Sequence, residues 1–373
     1  MMLVCFRKGG HPAYDDMLNY PPEGVKYKEV KMMGGMETPF VPLRHKIKRF
    51  LFKFYTERFS NVNAIPILCN GDIIYSCGIM VKSNKPWVSD FEHALNVIGG
   101  PEYRANRRRI SSTIRHIEKS ECKLLGWSKA AVKSAEVVFG NRFKEINDKF
   151  DVVYPALHLE FDISPKKSND YVTFLYVSRV FWGKCGMETL MAFDEIRKKY
   201  DTKLIFISDT PTEVKNKFTN DNIVFIDTPV SREEVLKYYS KSDIFILPTL
   251  FDTFGYVYLE AMSFGLPVIA TSIFAVPEIV EDERSGLLVS PEYSLFNGYD
   301  YRFGSTEELY EFCIANPQNK LIERLEKAMI RLIENDKERT EFGKYGRWLV
   351  ENGKFSIKYR NKKLKEIFNE LLK

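Results

Sequence analysis

The chain has 373 residues, 45% hydrophobic and 28% charged, with a formal charge of +5. That balance suits a folded protein with two cores of ordinary size and excludes a disordered or low-complexity chain. No apolar run nears the ~20 residues that cross a bilayer, and the opening "MMLVCFRKGG" is too short and too soon charged for a signal peptide.

"MLVCF" reads as a buried strand leading into the loop "RKGGHPAYDD". Weaker strands follow at "VKYKEV", "AIPILCN", "IIYSCGIM" and "KPWVSDF". Between them "RHKIKRFLFKFYTERF" sets Ile47, Phe50, Leu51 and Phe54 at helical spacing among bases. "PEYRANRRRISSTIRHIEKSE" is a second basic helix, followed by strand "CKLLGWS", helix "KAAVKSAEVVFGNRF" and strand "FDVVYPAL". From about residue 171 strands and helices alternate: "YVTFLYVS", "GMETLMAFDEIRKKY", "KLIFIS", "PTEVKNKF", "NIVFID", "REEVLKYYSKS", "DIFILP", "GYVYLEAMSFG" and "PVIAT". Such alternation predicts parallel sheets covered on both faces. The expected fold class is α/β, with two doubly wound, Rossmann-like parallel-sheet domains facing across a cleft. Residues 1–155 form the first and 156–355 the second.

Charge divides along the same boundary. Residues 1–155 hold 25 Lys and Arg against 16 Asp and Glu, a net of +9; the remainder holds 30 against 34, a net of −4. A basic first half calls for an anionic partner. Its basic helices read either as solvated faces or as contacts to an anionic membrane surface or acceptor; no nucleic-acid motif accompanies them. The six cysteines are scattered without a C-x-x-C pair, and the five histidines lie far apart. A cytoplasmic protein with reduced cysteines, no disulfide and no metal is therefore expected.

In an open parallel sheet, ligands bind beyond the carboxyl ends of the strands, which selects the loops "RKGG", "SRVFWGKCG", "DTPVS" and "TLFDTFG". Arg179 and Lys184 are two cations in one strand-end loop, able to neutralise a diphosphate. In "DIFILPTLFDTFG" a buried strand runs through Asp252, Thr253 and Phe254 to Gly255, where the next helix starts with unpaired amides. Asp252 reads either as a cap or as an acceptor for a polyol. Glu260, inside an apolar helix, is either solvated or in need of a polar partner. Gly9 and Gly10 form either a plain tight turn or a backbone approach to a diphosphate. His93, beside Asp90 and Glu92 in "WVSDFEHA", is either structural or near reacting atoms.

The stretch "LFDTFGYVYLEAMSFGLPVIAT", with "VPEIVEDERSGLLV" after it, resembles the signature of retaining glycosyltransferases of family 4, which have the GT-B fold. Arg179 and Lys184 keep that family's spacing, while Ser178 and Cys185 replace glycines and Asp252 replaces a glutamate. The likeness covers about residues 120–370, including a last helix, about 356–373, that such enzymes return to the first domain. It implies transfer of a hexosyl unit from a UDP- or GDP-sugar to a glycan or lipid-linked acceptor, with retention and without a metal or other cofactor. Arg179 and Lys184 would hold the leaving diphosphate with the amides at Thr253, Phe254 and Gly255; Asp252 would hold the sugar, Glu260 the ribose and Val230 the base. His93 would act from the first domain. The work would lie in the cytoplasm, on the inner membrane face if the basic helix docks there. A catalytically inactive nucleotide-sugar-binding scaffold, an epimerase and a phosphorylase are the competing readings.

Overall fold

A computed structural model describes residues 1–30, 62–100, 106–158, 171–303 and 306–373. The chain divides into two compact units, Met1–Pro155 with Lys358–Lys373, and Ala156–Ile357. The aromatic basic segment 44–59 lies outside the described residues.

The first unit opens with strand β1 (Met2–Arg7), helix α1 (Ala13–Asn19) and strand β2 (Val25–Glu29). Strands β3 (Ala64–Pro66), β4 (Ile73–Cys77), β5 (Met80–Lys82) and β6 (Trp87–Phe91) follow. Helices α2 (Ala94–Ile98) and α3 (Arg107–Glu118), strand β7 (Cys122–Gly126), helix α4 (Lys129–Phe139) and strand β8 (Phe150–Val152) complete this part. Six strands form one parallel sheet in the order β2-β1-β4-β6-β7-β8. Every residue of β4 and β6 is buried, the continuous apolar reading of strands covered on both faces. "AIPILCN" yields only β3, which pairs with β5 in a separate two-stranded ribbon; Pro66 has no N–H for a central ladder.

The expectation of unpaired cysteines fails at one place. Cys5 of β1 and Cys69, in the loop before β4, form a disulfide with Cα atoms 6.4 Å apart. Their separation of 64 residues gives no local signal; β1 and β4 are adjacent in the sheet, and that adjacency brings the two sulfurs together. Cys77, Cys122, Cys185 and Cys313 are free and buried.

The second unit repeats strand and helix almost without interruption. It runs β9 (Val172–Val177), α5 (Gly186–Ile196), β10 (Thr202–Ile207), α6 (Thr212–Phe218), β11 (Ile223–Ile226), α7 (Arg232–Lys241) and β12 (Ile244–Leu247). Then come α8 (Tyr256–Ser263), β13 (Val268–Thr271), α9 (Val276–Ile279), β14 (Gly286–Val289) and a small antiparallel hairpin, β15 (Phe296–Asn297) with β16 (Asp300–Tyr301). Helices α10 (Thr306–Ala315), α11 (Asn319–Glu334) and α12 (Asp336–Glu351) close the unit. Its six-stranded sheet is parallel throughout, ordered β11-β10-β9-β12-β13-β14.

The last helix, α13 (Ile357–Leu371), packs with the first unit. Buried Arg360 donates to the carbonyls of Asp16 and Tyr20, at 3.3 and 2.8 Å, at the end of α1. Phe368 sets its ring 6.4 Å from that of Tyr75.

Candidate functional site

In the second unit the strand order is third, second, first, fourth, fifth, sixth. The connections after β9 and β12 therefore leave in opposite directions, and the loops at their carboxyl ends flank the crevice where such sheets take ligands. These are the loops holding Arg179, Lys184 and Asp252–Gly255.

The two loops are tied together. Leu250 N–H donates to the Gly183 carbonyl at 3.0 Å. Lys184 Nζ lies 2.7 Å from both the Phe251 carbonyl and Asp252 Oδ2. Both side chains of that pair are about five-sixths buried, at 15% and 16% exposure, so the cation is fixed in place. Tyr176 at the end of β9 secures it from behind, its hydroxyl donating to the Lys184 carbonyl at 3.0 Å. Arg179 differs: it is exposed and has no hydrogen bond or ion pair among the described residues. Beyond β9, Ser178 closes the turn through its hydroxyl, which accepts from Val180 N–H at 3.1 Å.

Two left-handed residues start the helices here. Gly255 has φ 87° before α8, and a side chain there would stand 2.5 Å from the Tyr258 ring. Cys185 has φ 51° before α5, a conformation that favours glycine, and it is wholly buried. Burial of Phe254 (1% exposed) anchors the loop while Thr253 stays half-buried. Two of the first amides are already taken, Gly186 N–H by the Phe181 carbonyl and Tyr258 N–H by the Gly255 carbonyl, each at 3.0 Å; the partial positive charge of a helix start still favours an anion.

Glu260 is the fifth residue of α8. Its Oε1 pairs with Arg232 at 2.7 Å and its Oε2 accepts from the Tyr239 hydroxyl at 3.4 Å. The polar partner that an apolar helix demanded for its carboxylate is thus Arg232, which the sequence reading missed. The signal was the capping box formed by Ser231 and Glu234, which places Arg232 first in α7. Val230, half-buried, sits two residues earlier.

The first-unit candidates do not share one environment. A side chain at Gly9 would stand 2.5 Å from the Tyr14 ring, so this glycine is required by its own packing; at Gly10 nothing lies within 4 Å. His93 is wholly buried, and its Nδ1 accepts from Leu95 N–H at 3.2 Å to cap α2. Its neighbour Asp90, the fourth residue of β6, lies at the centre of a buried network. Tyr14, Tyr75 and Gly78 N–H donate to the Asp90 carboxylate at 3.1, 3.2 and 2.9 Å, and Trp127 also bonds it. Burial pushes this carboxyl up to about 6, against the opposing pull of those donors. Among the described residues no three His, Cys, Asp or Glu side chains gather as a metal would require.

The family described as glycosyl transferases group 1 matches residues 172–295, which run from β9 to the segment before β15 and include both tied loops. This stretch of the second unit is similar to the group 1 glycosyl transferases. The match bears out the family resemblance read from Asp252 to Thr271. An uncharacterised 41.2 kDa protein in the cps region of Klebsiella pneumoniae is 28% identical over 154 residues, 39% of this chain and 42% of that protein. The sulfoquinovosyl transferase SQD2 of Arabidopsis thaliana is 32% identical over 108 residues, 28% of this chain and 21% of that protein. The chain thus spans less than half the length of these relatives. The crystal structure of HepE from Anabaena, in complex with UDP and glucose, has a TM-score of 0.61 at 13% identity, covering 99% of this chain and 100% of that one. That likeness establishes the GT-B fold. Among the described residues no helix is long and apolar enough to cross a membrane.

Proposed function

We propose that the protein transfers a hexosyl unit from a nucleoside diphosphate sugar to a glycan or lipid-linked acceptor, retaining the anomeric configuration. The observation that supports this best is the pairing of a buried, fixed Lys184 with an exposed Arg179 at the crevice of the second sheet. Breaking a sugar–diphosphate bond puts negative charge on the leaving oxygen. Donors already in place stabilise that charge without reorganising when it appears. Lys184 is such a donor, Arg179 brings a planar fork of N–H groups, and the starts of α5 and α8 add amides. Asp252 accepts from sugar hydroxyls while restraining Lys184. Glu260 accepts from the ribose, and its ion pair with Arg232 holds that carboxylate in position.

UDP-hexoses are the first choice of donor, since HepE was crystallised with UDP and glucose; GDP-hexoses are the second. Retention rests on the spacing from Asp252 to Glu260, which matches the retaining family. Arg107, Arg108, Arg115 and Lys119 are exposed along and just beyond α3, in keeping with an anionic acceptor or a cytoplasmic membrane face.

The test is a thermal-shift panel of UDP, GDP and their hexoses, followed by turnover of the labelled donor that binds best. Ligand at 100 times its Kd stabilises a protein by about 2.7 kcal/mol. No shift with any member of the panel overturns the reading. Binding without transfer or hydrolysis over a broad acceptor set makes the protein an inactive nucleotide-sugar binder instead.

A further inference from the structure

The first sheet has a reversal point of its own. In the order β2-β1-β4-β6-β7-β8 the connection after β1 leads outward to β2, and the one after β4 leads the other way to β6. A sheet of this kind takes ligands in the crevice beyond the carboxyl ends of those two strands. The donor reading gives this crevice no task.

Arg7, the last residue of β1, bridges the two strand ends. It stands opposite Ser76 in the ladder, and its Nη1 donates to the carbonyl of Cys77, the last residue of β4, at 2.8 Å. Arg7 is half-buried, and among the described residues it makes no other hydrogen bond and no ion pair. Its Nε is buried without a partner. The unbonded Nε–Nη2 edge is the fork by which a guanidinium grips two oxygens of one anion. Lys8, the next residue, differs, for it pairs with Asp15 of α1.

Two further observations fall at the same place. Ser76, wholly buried beside Arg7, also carries a hydroxyl without a partner, and unsatisfied groups of this kind call for a physical reason. At Gly10, three residues past Arg7, a side chain would meet nothing within 4 Å, so the loop after β1 leaves space. A guanidinium that has lost part of its hydration ordinarily recovers it from a carboxylate. Arg7 has no such carboxylate among the described residues, yet its position is fixed by a backbone carbonyl. A cation held this way, with one edge unpaired at a ligand crevice, is matched to an oxyanion.

We infer that Arg7 binds an oxyanion, the phosphate or carboxylate of the acceptor, at the reversal point of the first sheet. The assignment to the acceptor rests on the transferase reading; the anion site does not. It gives the excess of bases in the first half of the chain a specific contact.

Titration calorimetry on the full chain tests it, with inorganic phosphate and glucuronate as separate probes. UDP or GDP, whichever the wild-type protein binds, is kept at saturation so that the donor loops are filled. Chloride keeps the ionic strength constant, because screening alone weakens such contacts. The wild-type protein is expected to bind one of the probes, phosphate marking a phosphorylated acceptor and glucuronate an acidic sugar. Arg7→Ala should weaken that probe about tenfold or more and leave the nucleotide Kd within about twofold, which also shows that the variant is folded. If Arg7→Ala does not fold, Arg7→Lys, which keeps the charge without the fork, is read in the same way. Failure of both probes to bind, or equal affinity in variant and wild type, overturns the inference. A nucleotide Kd weakened as much as the probe assigns Arg7 to the donor diphosphate and overturns the acceptor site. A wild-type protein that binds neither nucleotide overturns the donor reading, and the probes alone then decide whether Arg7 holds an anion.

Discussion

Arg179 and Lys184 are both cations, but they stand in different surroundings. Truncating a preorganised donor typically costs about 10²–10³ in kcat, so Arg179→Ala and Lys184→Ala are both expected to lose that much with a labelled donor. Only Lys184→Ala should also lower the melting temperature, because it strands the largely buried carboxylate of Asp252; Arg179 is exposed and has no hydrogen bond or ion pair among the described residues. Equal melting temperatures would show that the Lys184–Asp252 pair is not formed in solution. Cys185 gives a second contrast. Its left-handed backbone tolerates glycine and rejects a β-branched side chain, so Cys185→Val should cost roughly 2 kcal/mol or more, read from a denaturant midpoint, and Cys185→Gly clearly less. At Asp90 the buried carboxyl titrates near 6, above the ordinary value of about 3.9. The folded state thus holds this proton more tightly than the unfolded chain does. Its stabilising effect is full below about pH 4 and lost as pH rises through about 6. Asp90→Asn should remove that component, changing the wild-type-minus-variant stability by on the order of 2–3 kcal/mol across the window. Stability curves from pH 4 to 7 that run parallel would refute the burial of a proton there.

At the scale of elements, α8 depends on its first residue. Gly255→Ala would force a side chain against the Tyr258 ring at φ 87°, with an expected cost of about 1–3 kcal/mol and weakened nucleotide binding as the helix start shifts. Unchanged UDP affinity in that variant would separate the α8 amides from the phosphates. The strands and helices of this unit were legible in the sequence because each is a β-rich or helically spaced run cut by a turn, and parallel order follows from their alternation. "GYVYLEAMSFG" was legible as a helix that begins at Gly255. The hairpin "LFNGYDYR" was not read, since two-residue strands have no period to detect. Arg232 lay one residue past a recognisable cap, yet its pairing with Glu260 spans 28 residues and depends on how α7 and α8 lie on the sheet. Cys5 and Cys69 were misread for the same reason: spacing along the chain does not report which loop a neighbouring strand brings near.

The whole molecule puts two independent sources of stability in different units. A nucleotide would act on the second, through the loops after β9 and β12, while the Cys5–Cys69 bond acts on the first. Closing a loop of 64 residues removes chain entropy worth about 4 kcal/mol from the unfolded state in the simplest account. Strain in the native bond or residual structure in the unfolded chain would reduce that figure. Cys69→Ser, or reduction of the wild-type protein, should therefore lower the unfolding free energy of the transition that involves the first sheet by up to this amount, seen as a lower denaturant midpoint. The same change should leave the Kd for UDP or GDP as it was, because neither sulfur belongs to the unit that holds Lys184, Asp252 and Gly255. Circular dichroism with and without reductant measures the first effect, and calorimetry on the same samples measures the second. A midpoint indifferent to reductant would mean that the two thiols do not pair in solution, restoring the expectation of six reduced cysteines. A nucleotide affinity that falls with the bond would instead show that the first unit's integrity governs the donor site of the second.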